Sequence, residues 1–219
     1  MVASISSAAL QDAVDGFEPF VELSFPIQGK TLPADHGYGL YAAFVHLIPE
    51  IRLQPYIRIL TIPGFGDRQG EILLTEQSCL RIRVPVSRIP VVYQLAGKRI
   101  CIGKHGIGIG IPAVYTLRPT KTLRARIVTI KGKDYTQPEP FIVAVERQLE
   151  KLKISGKASI PVDLDGNPCR KTIKIKRFTV VGFTTEVSDL SDEESIKLQQ
   201  WGIGGKAHMG CGYFLPKGS

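Results

Sequence analysis

Several features that would place this chain in a familiar class are missing from it. No apolar run approaches the 18 or so residues of a membrane-spanning helix. The opening MVASISSAAL lacks the basic start and the continuous apolar stretch of a secretion signal. The four cysteines are widely spaced and form no CxxC pair. We therefore expect a cytoplasmic protein with reduced thiols and no membrane association.

Acidic side chains are fewer than basic ones. The chain has 20 Asp and Glu residues against 28 Lys and Arg residues, which gives a formal net charge of +8 and a pI near 9.4. Such an excess favours a polyanionic partner, with nucleic acid first and an anionic membrane second. A basic surface that serves only solubility is the alternative.

The predicted helices and strands follow one order twice. Residues 18–27 form a strand, and a helix capped by Asp35 continues until Pro49. Two strands, a short helix and further strands complete a β-α-β-β-α-β order, which appears again after residues 117–122. Its last helix begins at Ser191 with a capping box. The sequence thus predicts an α+β protein of two tandem ferredoxin-like units, residues 1–119 and 120–219. No direct sequence repeat is visible, so the duplication rests on element order alone.

Three alternating glycines in GIGIGI, at positions 106, 108 and 110, predict close packing of a strand against another backbone. The segment DLDGNP lacks the remaining ligands of a calcium loop, and we expect a turn there.

Five glycines lie between residues 202 and 212, close to the end of the chain. A dinucleotide-binding loop needs a strand before it and a helix after it, and the predicted order here is the reverse. A Walker loop needs Ser or Thr after the lysine, where this chain has Ala207. The pattern that does fit is G-h-G-x5-G-h-G, in which h is apolar.

This pattern resembles the glycine-rich loop of the RAMP superfamily, the ferredoxin-like proteins of CRISPR systems. In that loop glycines let backbone amides approach phosphates, and basic side chains add positive charge. The RNA-binding candidates here are Gly202, Gly204, Gly205, Lys206, His208, Gly210 and Gly212. A tight helix-to-strand turn without a ligand is the alternative.

Other segments are similar to one branch of that superfamily. FPIQGKTLPADHGYGLYAAFVHLIPEI, LAGKRICIG, TLRARIVTIKG, PEPFIVAVERQL and LSDEESIKLQQWGIGGKAHMGCGYFLP resemble the MYXAN-subtype branch of the Cas-six family of CRISPR repeat-processing endoribonucleases. The resemblance covers residues 18–216. It implies an enzyme without metal or cofactor that binds the repeat hairpin of precursor CRISPR RNA, cuts it at a fixed site and works beside other effector-complex subunits.

Cleavage by a ribose 2′-OH needs a base, an acid and a group that stabilises the phosphorane. Of the four histidines, the resemblance leaves His36 and His46 as candidates for the base, because the family's catalytic histidine lies in or just before the first helix. We favour His36, which we expect to be exposed at the positive end of that helix. Tyr38 and Tyr41 are candidates for positioning the ribose.

Basic residues alternate with apolar ones in two predicted strands. Arg170, Lys174 and Lys176 share one face of RKTIKIKR, and Arg124 with Arg126 repeats the arrangement. These five side chains predict a positive groove that holds a hairpin stem by its phosphates. A solvated edge strand protected by its charge is the alternative. At the level of the whole protein, a non-catalytic RAMP subunit and a generic RNA-binding module remain open beside the enzyme.

Overall fold

The computed structural model describes residues 18–218, with the backbone alone at positions 67 and 68. Its first half forms an antiparallel six-stranded sheet and a small three-stranded one. The strands of the large sheet are β1 (Phe20–Gln28), β3 (Arg58–Ile59), β6 (Cys79–Pro85), β7 (Arg99–Ile102), β8 (His105–Ile109) and β9 (Ala113–Thr116). The small sheet holds β2 (Thr31–Pro33), β4 (Phe65–Arg68) and β5 (Glu71–Leu73).

The helices of this half are α1 (Gly37–Leu47) and the short α2 (Ile89–Tyr93). Strand β1 pairs with β9 along its first part, where Val21 faces Thr116, and with β8 at its end, where Ile27 faces Ile109. The order β3-β6-β1-β9 therefore places the second, third, first and fourth strands of one ferredoxin-like unit side by side.

The second half repeats this order in a five-stranded antiparallel sheet. Its elements are β10 (Leu123–Val128), α3 (Pro138–Lys151), β11 (Lys157–Ser159), β12 (Arg170–Ile175), β13 (Phe178–Ser188), α4 (Asp192–Trp201) and β14 (Phe214–Pro216). The order β11-β13-β10-β14 matches that of the first unit, while β12 forms a hairpin with the first part of β13. The predicted fold class, α+β with two ferredoxin-like units, is confirmed.

Alternation of apolar and basic residues determines which face of β10 is buried. Leu123, Ala125 and Ile127 are fully buried, whereas Arg124 and Arg126 are exposed. The first unit has its own core between α1, α2 and the sheet, and a second core lies between α3, α4 and the other sheet.

Some local predictions hold at the helix ends and others do not. Ser191 and Glu194 form the predicted capping box of α4. Helix α1 is preceded by His36 rather than Asp35 as its N-cap, and no side chain caps it. Leu47, at the end of α1, is 38% exposed. Asp35 does not cap the helix because its carboxylate instead accepts a hydrogen bond from the backbone amide of Lys174, at 2.5 Å.

The GIGIGI glycines do not share one packed surface, contrary to the prediction. A Cβ at Gly110 would lie 2.7 Å from Pro26 Cγ, which is the expected close approach. At Gly106 it would meet no described atom within 4 Å, and at Gly108 the nearest atom, in the Gln28 side chain, is 3.6 Å away. Close packing therefore occurs at one of the three glycines and not along the whole strand. The DLDGNP segment is a turn as predicted: the Asp163 carboxylate accepts the amide hydrogens of Asp165 and Asn167.

Two arginines of the first sheet join the two units. Arg83 on β6 is 1% exposed, and its Nε donates to Glu22 Oε2 at 3.0 Å. Its Nη1 donates to the carbonyl oxygens of Gln199 and Phe214, at 3.2 and 2.6 Å. Arg58 on β3 similarly donates to the Gln200 carbonyl at 2.8 Å. These bonds hold the open face of the first sheet against the end of α4 and the start of β14.

Candidate RNA interface and active site

Three segments that are far apart in sequence meet where the two units join. They are the start of α1, the glycine-rich loop at residues 202–212 and strand β12. The carboxylate of Asp35 binds the Lys174 amide, and a Cβ at Gly37 would lie only 2.5 Å from the Met209 carbonyl oxygen. Gly37 thus allows α1 to approach the loop closely. We call this meeting point the junction site.

The loop glycines allow close approach of the protein's own backbone. Gly202 (φ 51°) and Gly212 (φ 64°) face each other, and a Cβ on either would lie 2.1 Å from a carbonyl oxygen, of Gly212 and Ile203 respectively. A Cβ at Gly204 would lie 2.6 Å from the Thr129 carbonyl oxygen, and one at Gly210 would lie 2.6 Å from Thr61 Cγ2. The loop glycines therefore do lie in close contact with other atoms, and the atoms that they contact are those of neighbouring protein segments.

Several loop amides are also already bonded. The amide of Gly204 donates to Gln148 Oε1 at 2.7 Å, and that of Gly205 to the Thr129 carbonyl at 2.8 Å. The Gly212 amide donates to the Ile127 carbonyl at 2.8 Å. These three amides do not face a phosphate site, contrary to the expectation from the pattern. What the loop presents to solvent is Gly205 and the side chain of Lys206, whose backbone is left-handed (φ 65°).

His36 is buried, so the prediction that it is exposed is wrong. Its side chain lies between the first strands and the helix and is 2% exposed. Nδ1 donates to the Pro33 carbonyl at 2.8 Å, and Nε2 accepts the Ile62 amide hydrogen at 2.9 Å. Burial lowers the pKa of His36, with a smaller lowering from the charge of Arg126. The imidazole is therefore neutral, but neither ring nitrogen is free to accept a proton from a substrate.

The other candidates on α1 differ in position. His46 is exposed. It follows Gly37 by nine residues, which is about 13.5 Å along the axis and about half a turn around it, so it lies on the side of α1 away from the loop. Tyr38 is half-buried beside the junction site. Tyr41 stacks on His208, with ring centroids 5.2 Å apart and planes within 6°.

His208 lies in the short 3-10 turn Ala207–Met209 of the loop. Its Nε2 is 2.9 Å from the Gln54 carbonyl oxygen. Burial lowers the pKa of His208, and the positive charge of Arg58 lowers it further. The residue predicted to contact phosphate is thus a neutral imidazole held between the two units.

The predicted basic residues are exposed but do not form one continuous strand face. Arg170 and Lys174 are exposed on β12, while Ile173 points into a small core with Ile127 and Cys211. Lys176 lies outside the strand, in the hairpin turn, with φ 55°. The expectation that it shares a strand face with Lys174 is wrong because β12 ends at Ile175.

On β10, Arg124 is 3.5 Å from Glu186 Oε1, so part of its charge is neutralised. Arg126 has no ion-pair partner among the described residues, and its charge acts on both His36 and Cys211. Lys171 and Arg177 are further exposed cations that strand alternation does not single out. The density of basic residues in RKTIKIKR would have indicated them, since every basic residue in this run is exposed.

Within residues 18–218, no three side chains of His, Cys, Asp or Glu are grouped as the ligands of a metal ion would be. None of the helices in this range has the length and the apolar composition to cross a membrane.

Comparison with known proteins gives the family. The profile described as Cas6 Crispr matches residues 21–219. The chain belongs to the Cas6 family. A relative named CRISPR-associated endonuclease Cas6, from Myxococcus xanthus (strain DK1622), is 32% identical over 199 residues, which are 91% of this chain and 82% of the relative. The resemblance seen in the sequence motifs is therefore confirmed.

Solved Cas6 structures share the fold. One titled "Characterization of a Cas6-related gene from Pyrococcus furiosus" is 16% identical with a TM-score of 0.61, and covers 90% of this chain and 97% of its own. One titled "CRISPR associated protein Cas6" has a TM-score of 0.58 at 11% identity, with 90% and 98% covered. At these identities the likeness concerns the fold alone.

Proposed function

We propose that this protein is an endoribonuclease that binds the repeat hairpin of precursor CRISPR RNA and cleaves it by attack of a ribose 2′-OH without a metal ion. The meeting of α1, the glycine-rich loop and β12 at the junction site carries the proposal. Membership of the Cas6 family supports it, as does the name of the Myxococcus relative, an endonuclease.

The reaction needs three capacities, and the junction site offers groups for two of them, the base and the cation. A base accepts the 2′-OH proton, and histidine suits this role because its pKa lies near neutrality. A cation stabilises the charge that develops on the phosphorane, and Lys206 is exposed at this position. The proton that the leaving 5′ oxygen requires comes from solvent.

Exposed cations on the second unit would hold the RNA by its phosphates. Arg126 and Lys174 project from β10 and β12 beside the junction site. Arg170 and Lys171 lie at the start of β12, and Lys176 with Arg177 extends the charge to the tip of the hairpin. Phosphate contacts fix the position of a hairpin stem, and their contribution falls with added salt. In this proposal residues 120–219 form the unit that supplies most of this charge, and residues 1–119 supply α1.

One observation favours a second candidate, a RAMP subunit that holds CRISPR RNA without cutting it. The histidine favoured from the sequence, His36, has both ring nitrogens bonded to the backbone. A protein whose base is engaged in this way binds RNA without transferring a proton.

Synthetic repeat RNA in buffer with EDTA decides between the two. The proposal predicts one defined cut, and an upstream product that ends in a 2′,3′-cyclic phosphate or its hydrolysis product. A scrambled RNA of the same length and composition is the control and stays intact. Retention of intact repeat RNA supports the non-catalytic subunit, and equal binding of both RNAs means that the protein is a generic RNA-binding module.

A further inference from the structure

The hydrogen bond of His208 fixes which ring nitrogen carries the proton. Nε2 lies 2.9 Å from the Gln54 carbonyl oxygen. A carbonyl oxygen only accepts hydrogen bonds, so Nε2 carries the hydrogen and donates it. In the neutral ring Nδ1 then has a free lone pair.

That lone pair reaches solvent. Nδ1 of His208 contacts no hydrogen-bond partner among residues 18–218. In the same range, no side-chain nitrogen or oxygen is both fully buried and without a partner. Nδ1 is therefore accessible from outside, although the ring as a whole is half-buried.

Within the described part of the chain, no other histidine combines a free ring nitrogen with a place beside the loop. Both nitrogens of His36 are bonded to the backbone. His105 is 8% exposed, its Nδ1 is 2.8 Å from Thr31 Oγ1, and its Nε2 faces Glu71 Oε1 at 3.7 Å. His46 is exposed on the far side of α1.

The surroundings hold the ring of His208 in one orientation. Tyr41 stacks on one face of it, and the Gln54 carbonyl fixes its edge. Lys206, two residues earlier, presents its ammonium group to solvent. A fixed, neutral acceptor next to a free cation is the arrangement that phosphoryl transfer to a 2′-OH requires.

We propose that Nδ1 of His208 is the general base of the cleavage reaction, an inference that rests on the proposed endoribonuclease function. The 2′-OH gives its proton to Nδ1 while O2′ forms a bond to the adjacent phosphorus. The bond from phosphorus to the 5′ oxygen breaks, and a water molecule protonates that oxygen. The products are a 2′,3′-cyclic phosphate and a 5′-OH, and the imidazolium returns its proton to solvent.

The substitution His208→Gln tests this assignment with little change to the fold. The glutamine Nε2 takes the place of the histidine Nε2 and keeps the bond to the Gln54 carbonyl, but glutamine has no basic nitrogen. We expect single-turnover cleavage to fall by about 10²–10⁴-fold, the usual contribution of a general base. Affinity for repeat RNA is expected to stay within about threefold, because a base acts mainly in the transition state.

His105→Gln is the matched control, since it also replaces a hydrogen-bonded histidine by glutamine, but away from the junction site. It is expected to cleave at the wild-type rate. A second variant, His208→Ala, opens the position of the ring, and added imidazole is expected to restore part of its cleavage. A purely structural role for His208 would not produce rescue by imidazole.

The pH dependence gives a third readout. The groups that face the ring are Tyr41 from α1 and Arg58 from β3. Because burial and Arg58 lower the pKa of His208 below its ordinary value of 6.5, the wild-type rate falls only when the pH drops below that value. This acid limb is expected to disappear in His208→Gln.

The outcomes separate this inference from the proposed function. If wild type cleaves and His208→Gln cleaves equally fast, His208 is not the base, while the endoribonuclease function stands. If His46→Ala is inactive and His208→Gln is active, the base is His46. If the wild type cleaves no repeat RNA under any condition, the proposed function itself is wrong.

Discussion

Replacing Arg83 by alanine tests the contact between the two units. This guanidinium is 1% exposed and binds one carboxylate oxygen of Glu22 and two carbonyl oxygens of the second unit. It also lies over the Tyr213 ring, 4.1 Å from the centroid. The substitution leaves Glu22 without its closest positive partner and both carbonyls without a donor.

The expected cost follows from burial. Breaking a buried ion pair by removing one partner destabilises a protein by about 3–5 kcal/mol, because the remaining charge stays desolvated. For a chain of this size each kcal/mol lowers the melting temperature by about 2–4 °C, so we expect a decrease of roughly 6–20 °C. Urea unfolding, followed by far-UV circular dichroism, measures the free energy directly.

Arg81→Ala is a matched control on the same strand with the same partner. Its Nε is 3.9 Å from Glu22 Oε1, and its side chain is 33% exposed. Solvent screens such a pair, so we expect a loss below about 1 kcal/mol. Similar losses for the two variants would refute the idea that burial makes Arg83 the main link between the units.

Three further predictions concern stability and RNA binding. Burial lowers the pKa of His36, so below pH 6.5 the unfolded chain binds a proton that the folded one does not, and the free energy of unfolding falls. In a pH series of urea melts, we expect this fall to be shallower in His36→Gln than in the wild type. Equal slopes would contradict the lowered pKa of His36. Gly212→Ala places a Cβ 2.1 Å from a carbonyl oxygen, and we expect it to lower the free energy of unfolding by several times the ~1–2 kcal/mol of left-handed strain alone. Gly103→Ala is the control for that strain, because Gly103 has a similar φ of 61° and no described atom within 4 Å of its Cβ position. Equal losses of stability in thermal melting would show that the loop backbone shifts to accommodate the Cβ. If Lys174 and Lys176 bind phosphates, their double alanine variant lowers the salt slope of RNA affinity by about 0.7–0.9 for each phosphate that is no longer neutralised, as filter binding across a salt series measures; an unchanged slope makes this hairpin an ordinary solvated edge.

The element order could be predicted because it depends on local patterns. Alternation in β10 and the capping box at Ser191 act over a few residues, and the structure confirms both. The repeated β-α-β-β-α-β order then leads to two ferredoxin-like units.

The burial of His36 could not be predicted in this way. Its position before α1 indicated exposure, but the Ile62 amide, 26 residues later, and the Pro33 carbonyl enclose the ring. Arg83 is similar: it alternates with Ile82 and Val84 on β6, a pattern typical of a strand with one polar face, and the docking of the second unit buries it. Contacts between distant segments decide burial, and a local pattern does not contain them.

The glycine-rich loop lies between these cases. The pattern predicted that the loop backbone approaches phosphates closely, whereas the structure shows it packed closely against the protein's own backbone, at the Gly202–Gly212 pair and at Thr129. Which atoms the loop glycines contact depends on how the loop folds back on itself, and a local pattern does not contain that information. The same folding gives His208 its bond to Gln54, and with it the free Nδ1.

The most direct test of the proposed mechanism uses a repeat RNA with one 2′-deoxy nucleotide immediately before the cut. The nucleophile is then absent, while the base, the cation and the RNA-binding surface are unchanged. We predict that the protein binds this RNA as tightly as the all-ribose RNA and leaves it uncut, in EDTA, over times in which the all-ribose RNA is fully cleaved. Cleavage of the 2′-deoxy RNA at the same phosphate would contradict the mechanism, because the attacking group would then be water rather than the adjacent 2′-OH.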